Sequence, residues 1–266
     1  MIRDITIGQY YPADSAIHKL DPRVKLFTTL IYIIALFCFR GAAGFVIITA
    51  ALAASIRISK VPFKFMVKGL RAIVILLVIT GVFNLLFTPG NTVYWSWGPL
   101  KLTDTGISNA VLMVVRLIYL ILGTSLMTLT TTPNQLTDGL EKSLGPLNRL
   151  HVPVHAIAMM MSIALRFIPI LIEETDKIMK AQMARGADFE NGNLIKRAKN
   201  MIPLLIPLFV SAFRRADDLA MAMEARCYSG GEGRTKMKPL KYDRTDRIAY
   251  LLDILFLALV IVSRML

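Results

Sequence analysis

Two six-residue segments of this chain place an arginine in almost the same surroundings. Ala181–Gly186 reads Ala-Gln-Met-Ala-Arg-Gly and Ala222–Cys227 reads Ala-Met-Glu-Ala-Arg-Cys, so that Arg185 and Arg226 lie 41 positions apart. A guanidinium group between small side chains is accessible, and its planar fork suits a carboxylate on another protein. The alternative for either copy is an ion pair on a solvated face, which contributes little. The repetition favours two equivalent docking sites.

Each motif is predicted to end a long helix. One helix is expected over Pro153–Arg185, with a kink at Pro169, and a second over Pro203–Arg226. Gly186 is a typical residue just beyond a helix end, and the glycine-rich residues 229–233 follow the second helix as a flexible breaker. The two arginines would therefore project from two helix ends. On the second helix, Arg214 and Asp218 have the i,i+4 spacing of an ion pair.

The composition is that of a membrane protein. Of 266 residues, 55% are hydrophobic and 18% charged, with a mean hydropathy of +0.56, whereas a soluble chain has about a quarter charged. The formal net charge is +13. Such an excess fits nucleic acid, anionic lipid or acidic protein partners, and the long apolar runs favour membrane insertion. Cys38 lies in an apolar run and Cys227 in a charged region, so no disulfide framework is predicted.

Five apolar stretches are predicted to span the bilayer, which gives an all-α polytopic fold. They are Val24–Phe39, Gly44–Ser59, Leu70–Phe87, Ile107–Leu129 and Ile248–Val262. Basic residues cluster at the start of the first span and around the second loop, whereas the first and third loops carry one each. The clustered residues are Arg3, Lys19, Arg23 and Lys25 in the N-terminal region, and Arg57, Lys60, Lys64, Lys68 and Arg71 in and beside the second loop. Because cytoplasmic loops are enriched in cations, we expect a cytoplasmic N-terminus and an external C-terminus. In the third loop, Tyr94, Trp95 and Trp97 indicate an aromatic hairpin at the outer interface.

Three segments follow from this topology. Residues 1–130 form a membrane part with four spans, residues 131–245 a cytoplasmic helical coupling domain, and residues 246–266 a last span. Two apolar parts of the middle segment, Val152–Ile172 and Met201–Phe213, are expected to be amphipathic or buried helices near the membrane. Arg166 and Pro169 interrupt the first, and the second has thirteen residues with two prolines. A short helix is predicted to open at Thr132-Pro133 and to end near Gly145-Pro146.

Methionines are concentrated in the same middle segment. Ordinary core filling is one interpretation. The other is an adaptable apolar surface that accepts several partners. The candidate residues for such a surface are Met179, Met183, Met221 and Met223. Met179 and Met183 share a helix face that leads to Arg185, while Met221 and Met223 are two apart and cannot share one face.

Other sites are weighed and mostly rejected. Gly230-Gly-Glu-Gly233 lacks the lysine and hydroxyl residue of a phosphate-binding loop. His151 and His155 are four apart without an acidic ligand after them, so a pair at a helix start is favoured over a metal site. Arg116 lies inside the fourth predicted span, where it has a functional role or is accommodated by snorkelling or an interhelical hydrogen bond.

The chain resembles the transmembrane T component (EcfT) of energy-coupling factor (ECF) vitamin transporters over nearly its whole length. The resemblance rests on Thr130-Thr-Thr-Pro133, Ala164-Leu-Arg-Phe-Ile-Pro169 and the two motifs Ala184-Arg185-Gly186 and Ala225-Arg226-Cys227. The family usually has Ala-Arg-Gly twice, so Cys227 departs from the pattern, although a small residue is kept.

This resemblance implies a scaffold that is not an enzyme. Two ATP-binding-cassette ATPases would bind the two Ala-Arg motifs, and a membrane-embedded, substrate-binding S component would bind the rest. ATP and Mg would belong to the ATPases, so the chain itself would need no cofactor, and no nucleic-acid partner is expected. The chain would lie in the bacterial cell membrane and couple ATP hydrolysis to uptake of a vitamin or other micronutrient.

Two other functions remain as alternatives at this point. One is a membrane enzyme that acts on a phosphorylated lipid at the cytoplasmic face through Arg166, Arg185 and Arg226. No convergent acid, base or metal set supports it. The other is a permease that works alone, but intramembrane ionisable residues are too few for a coupling path.

Overall fold

A computed structural model of the chain describes residues 10–39, 41–71, 73–90, 93–97, 100–187, 189, 194–230, 237 and 239–265. The helices are α1 (Ala16–Lys19), α2 (Pro22–Cys38), α3 (Gly41–Ser59), α4 (Phe63–Arg71), α5 (Val74–Phe87), α6 (Asp104–Thr130), α7 (Pro133–Ser143), α8 (Val154–Ala184), α9 (Leu194–Glu224) and α10 (Arg244–Met265). A 3₁₀ helix covers Gly145–Leu150. The all-α fold class is therefore confirmed.

One antiparallel hairpin interrupts the helices in the described part of the chain. Strand β1 (Val93–Trp97) pairs with β2 (Leu100–Thr103), and Trp95 lies opposite Leu102. The predicted aromatic hairpin is thus present between the third and fourth predicted spans. Thr103 then caps α6, since its hydroxyl accepts the N–H of Gly106.

The chain divides into two compact units. The terminal unit consists of Gly8–Gly139 with Leu240–Leu266, and the central unit contains Leu140–Pro239. The terminal unit therefore holds all five predicted spans. The central unit holds α8 and α9, at whose ends the two arginine motifs lie.

Length and composition single out fewer membrane-crossing helices than the five predicted. Among the described residues, α6 and α8 are long and apolar enough to cross a membrane by themselves, and α3 with α4 would be a third span if the bent pair counts as one. Helix α8 was predicted to lie near the membrane without crossing it. The count of five spans remains a prediction.

The third predicted span is shorter than expected. Leu70 and Arg71 belong to α4, and the next helix starts at Val74. The Ile73 N–H donates to the carbonyl of Leu70 in the turn between them. Helix α4 carries basic residues three to four positions apart, at Lys64, Lys68 and Arg71, and buries Met66 in the core. The start of the predicted span is therefore amphipathic rather than uniformly apolar.

Helices α2 and α10 run parallel and start at the same level. The Asp21 N–H donates to Asp246 Oδ1 over 2.9 Å. Seven residues further along both helices, the Thr28 hydroxyl donates to Asp253 Oδ2 over 2.5 Å. Because both pairs have the same sequence separation, the two helices advance together from one end of the terminal unit.

Helix α6 runs antiparallel to α2 and finishes at that same end. The Lys25 ammonium group, which is buried, donates to the carbonyl of Thr130 over 2.8 Å and to that of His18 over 3.1 Å. At the middle of the pair, the Tyr32 hydroxyl donates to the carbonyl of Tyr119 over 3.0 Å. The start of α2, the end of α6 and the start of α10 therefore share one end, which we call the Asp21 end.

Arg116 lies against two aromatic rings and forms no ion pair within the described part of the chain. Its guanidinium carbon lies 5.0 Å from the ring centre of Phe39 and 5.8 Å from that of Phe37, near the end of α2. Its Nε is buried and has no hydrogen-bond partner among the described residues. The electron-rich ring faces compensate part of the cost of burying a cation.

Candidate functional site

The first arginine motif ends α8 in a closed hydrogen-bonded cap. Arg185 is the C-cap residue, and Gly186 follows in the left-handed region with φ +86°. The Ala187 N–H donates to the carbonyl of Gln182, and the Gly186 N–H to that of Met183, both over 3.0 Å. This pair of bonds is the Schellman motif, which satisfies the last carbonyls of a helix. The cap fixes the backbone direction at Arg185.

The second motif ends α9 in the same way. Arg226 follows the last turn, and the next residue, Cys227, has φ +56°. The Tyr228 N–H donates to the carbonyl of Met223 over 3.0 Å, and the Cys227 N–H to that of Glu224 over 2.8 Å. Both bonds repeat, position for position, those at the end of α8. The two arginines therefore occupy equivalent C-cap positions.

The surroundings of both arginines are open. All six motif residues are exposed: Ala184, Arg185, Gly186, Ala225, Arg226 and Cys227. Two cationic side chains at helix C-termini also lie where the macrodipole favours positive charge. The arrangement presents two unshielded guanidinium forks that suit carboxylates.

Cysteine at the second cap has an energetic cost. Glycine adopts a positive φ freely, whereas a residue with a Cβ loses about 1 kcal/mol there. The Cys227 N–H nevertheless donates the same bond as its glycine counterpart, and the following Tyr228 N–H completes the cap. The departure from the Ala-Arg-Gly pattern thus leaves the geometry of the cap intact.

A polar contact joins α8 to α9 ahead of the two caps. Glu174 on α8 accepts from the Arg215 guanidinium group over 2.7 Å and from the Ser211 hydroxyl over 2.5 Å, both on α9. Glu174 lies eleven residues before Arg185, and Arg215 lies eleven residues before Arg226. At 1.5 Å per residue, each arginine lies about 16 Å along its helix from this contact. Arg185 and Arg226 are thus equally far along their helices from this contact, which we call the joint.

This joint was not predicted from the sequence. Arg214 and Asp218 were expected to pair along α9, but neither forms an ion pair or hydrogen bond within the described part of the chain. The neighbouring Arg215 reaches across to α8 instead. The available signal was the sequence separation, because Glu174 and Arg215 are 41 residues apart, as Arg185 and Arg226 are.

Helices α8 and α9 end at the two motifs, as predicted, whereas the observed start of α9 differs from the predicted one. Helix α8 covers Val154–Ala184, as predicted, and it continues through Pro169. Helix α9 begins at Leu194, nine residues before the predicted start at Pro203. A proline removes one backbone donor and disturbs the preceding turn, yet α9 contains both Pro203 and Pro207 and continues on either side of them.

The four candidate methionines differ in exposure. Met183 and Met221 are exposed, at 50% and 61%, while Met179 and Met223 are half-buried. A larger exposed apolar surface lies nearer the start of α9. Its exposed members recur at helical spacing and are Ile202, Leu205, Ile206, Phe209, Val210 and Phe213.

Polar contacts near the starts of α7 and α8 involve His155 and the threonine motif. His155 Nδ1 lies 2.9 Å from Glu141 Oε1, while His151 is exposed with φ +60° at the end of the 3₁₀ helix. No group of three metal-ligating side chains occurs among the described residues.

Helix α7 starts in a capping box, in which the Thr132 N–H donates to Gln135 Oε1 and the Gln135 N–H donates to the Thr132 hydroxyl. The Thr-Pro pair predicted a helix start at this position.

Comparison with known proteins shows the family of the chain. The family model described as "Cobalt transport protein" (CbiQ) matches residues 13–237. A Clostridium kluyveri protein named energy-coupling factor transporter transmembrane protein EcfT is 56% identical over 265 residues, which cover 99% of this chain and 98% of that protein. The proteins of that name from Ruminiclostridium cellulolyticum and Bacillus subtilis are 54% and 46% identical, and the alignments cover 98% and 92% of this chain and 97% and 93% of those proteins. The chain therefore belongs to the EcfT/CbiQ family and is the transmembrane component of an energy-coupling factor transporter.

Proposed function

We propose that the ends of α8 and α9 are the docking sites of two ATP-binding-cassette ATPases, one on each motif. The observation that carries this proposal is the equivalence of the two caps, which hold Arg185 and Arg226 in the same backbone setting. Two equivalent docking sites suit two ATPases that share one fold. ATP and Mg would be bound by these ATPases, and each arginine would bind a carboxylate on its ATPase.

The contact between Glu174 and Arg215 supports a mechanical role for the helix pair. A charge-assisted bond with a second bond from Ser211 defines where α8 and α9 touch. Movement of the ATPases on ATP binding would displace the two ends, and the joint would transmit that displacement to a membrane-embedded S component. Substrate selection would belong to the S component, which takes up a vitamin or another micronutrient.

The enzyme alternative is not supported. The family is a transport component, and the enzyme alternative rested on Arg166, Arg185 and Arg226 alone.

Copurification tests the scaffold proposal directly. The intact complex is expected to contain two ATPases per chain, and a chain that purifies alone from cells that make all subunits would overturn the proposal.

We propose that Met179, Met183, Met221 and Met223 contribute to the apolar seat of the S component, with at most one of the last two in direct contact. Unbranched thioether side chains repack against different partners, as a shared scaffold would require. Replacing Met179 and Met183 by glutamine is expected to release the S component while both ATPases stay bound. Quantitative copurification of all subunits measures this, and loss of the ATPases as well would show that these methionines belong to the core.

The proposed topology places the N-terminus in the cytoplasm and the C-terminus outside. The parallel pair α2 and α10 supports opposite sides for the two termini, since both helices start at the Asp21 end. The end of α6 and the start of α10 share that end, so the chain between residues 131 and 243 crosses the bilayer an even number of times. Helix α8 therefore crosses only if α9 does too, and within the described residues α9 is not among the helices apolar enough to span.

Cysteine labelling tests this topology. In a background of Cys38→Ala and Cys227→Gly, Tyr94→Cys in the hairpin is expected to react with an impermeant maleimide added to intact cells. Ala187→Cys, just after the α8 cap, is expected to react only after permeabilisation. External labelling at position 187 would mean that α8 and α9 both cross, because only then does the segment between them lie outside.

A further inference from the structure

We propose that a groove at the Asp21 end of the terminal unit binds the headgroup of an anionic phospholipid through Arg57 and Lys60. The groove consists of two neighbouring cavities, of about 630 and 550 Å³, that share these two residues. This site lies apart from the docking ends of α8 and α9 and does not depend on their partners.

The larger cavity is the polar one. It lies between the α1 region, the end of α3 and the start of α10, and Lys19 and Asp243 contribute to its walls. The Lys19 ammonium group lies 2.9 Å from the Asp14 carboxylate in an exposed pair. Asp243 Oδ1 accepts the N–H of Arg244 at the start of α10. These side chains already have partners on the protein.

Arg57 and Lys60 are the two cations that line both cavities of this groove. Both are exposed, and neither forms a hydrogen bond or ion pair in the described part of the chain. A hydrogen bond and the charge of Lys19 lower the pKa of the Asp14 carboxyl, and the charge of Lys60 lowers it further. Lys60 and Asp14 both line the larger cavity. Two uncommitted cations beside a membrane-spanning segment suit a lipid phosphate.

The backbone at Lys60 adds a second observation. Lys60 has φ +56°, a conformation that glycine adopts without strain. The turn is fixed by Ser59, which is fully buried, donates to the carbonyl of Ile56 and accepts the N–H of Val61. A strained residue held in place by its surroundings points to a role for its side chain. Here that role is a fixed positive charge at the mouth of the groove.

The smaller cavity supplies the apolar half of the site. Ala53, Ile56, Val61 and Phe63 line it next to the two cations. Phe63 is 56% exposed at the start of the amphipathic α4, and Ile58 beside the groove is 52% exposed. An amphipathic helix with exposed aromatic and basic residues is typical of the membrane interface. A phospholipid can therefore place its phosphate between the cations and its first acyl carbons on this wall.

Native mass spectrometry of the full chain in detergent tests the site. The protein is titrated with dioleoylphosphatidylglycerol, with dioleoylphosphatidylcholine as the zwitterionic reference and inorganic phosphate as the free anion. We expect preferential retention of phosphatidylglycerol and no displacement by millimolar phosphate. Arg57→Gln and Lys60→Gly are each expected to weaken this retention about fivefold, since one cation near a membrane surface contributes about that factor.

The variants separate lipid binding from folding. Lys60→Gly removes the charge and also relieves the positive-φ strain, so it is expected to unfold at the same temperature as the parent or a higher one while it loses lipid. Arg264→Gln is the matched control, because it removes one exposed cation at the opposite end of α10. Equal retention of both lipids, displacement by phosphate, or an equal loss in Arg264→Gln would overturn the proposal.

Discussion

Replacing both Arg185 and Arg226 by glutamate is expected to abolish copurification of the ATPases and ATP-dependent uptake. In the proposed complex each guanidinium group binds a carboxylate of an ATPase, so a reversed charge would bring two anions together. Loss of a buried, hydrogen-bonded charge partner costs roughly 2–5 kcal/mol. The smaller value already weakens binding about thirtyfold. Each single variant should therefore be impaired, and the double variant should lose both ATPases.

Two controls separate the docking contact from general effects of charge and of cap geometry. Arg214→Glu makes the same charge change at an exposed position on α9, twelve residues before Arg226, and is expected to keep both ATPases. Cys227→Gly keeps Arg226 and relaxes the strained cap, so it should stabilise the end of α9 by about 1 kcal/mol and leave docking unchanged. Wild-type copurification and uptake in the Arg185→Glu/Arg226→Glu double variant would contradict the proposed role of the caps.

The ends of the two long helices could be predicted because the signals are local. A small residue, an arginine and a residue suited to positive φ lie next to one another, and a Schellman cap involves only six consecutive residues. The same holds for the capping box that starts α7 at Thr132. Hydrogen bonds between near neighbours depend on residue types that the sequence displays directly.

The start of α9 and the joint between α8 and α9 could not be predicted in the same way. Pro203 suits the first turn of a helix, and sequence alone does not distinguish that position from the interior. Ser211 and Arg215 reach Glu174 only because α8 and α9 are packed together. Tertiary contact decides which of the adjacent arginines, 214 or 215, finds a carboxylate.

The hydrogen bonds within the terminal unit are the hardest features to predict from the sequence. Asp21 and Asp246 are 225 residues apart, and their hydrogen bond exists only because α2 and α10 start side by side. Lys25 reads as one of several cations that mark the cytoplasmic side, yet it is buried and bonded to the carbonyl of Thr130. Charges counted for topology can thus also be structural, and burial distinguishes the two roles.

Asp246→Asn is expected to destabilise the terminal unit although the side chain keeps its size. Asp246 is 2% exposed and uses both carboxylate oxygens as acceptors, Oδ1 from the Asp21 N–H and Oδ2 from the Asp243 N–H over 2.8 Å. An asparagine has one acceptor oxygen, so its amide group would face one of these donors. A buried donor left without an acceptor costs about 1–3 kcal/mol.

Asp253→Asn, which is the same substitution on the same helix, provides the comparison. Asp253 accepts one bond, from the Thr28 hydroxyl, and the carbonyl oxygen of an asparagine can accept it equally well. Thermal unfolding of the purified full chain in detergent should therefore show a clear drop in midpoint for Asp246→Asn and little change for Asp253→Asn. Equal midpoints for the two variants would mean that the start of α10 is not held by its two backbone donors. A larger drop for Asp246→Ala, which removes both acceptors, would confirm that the carboxylate oxygens join the starts of α2 and α10.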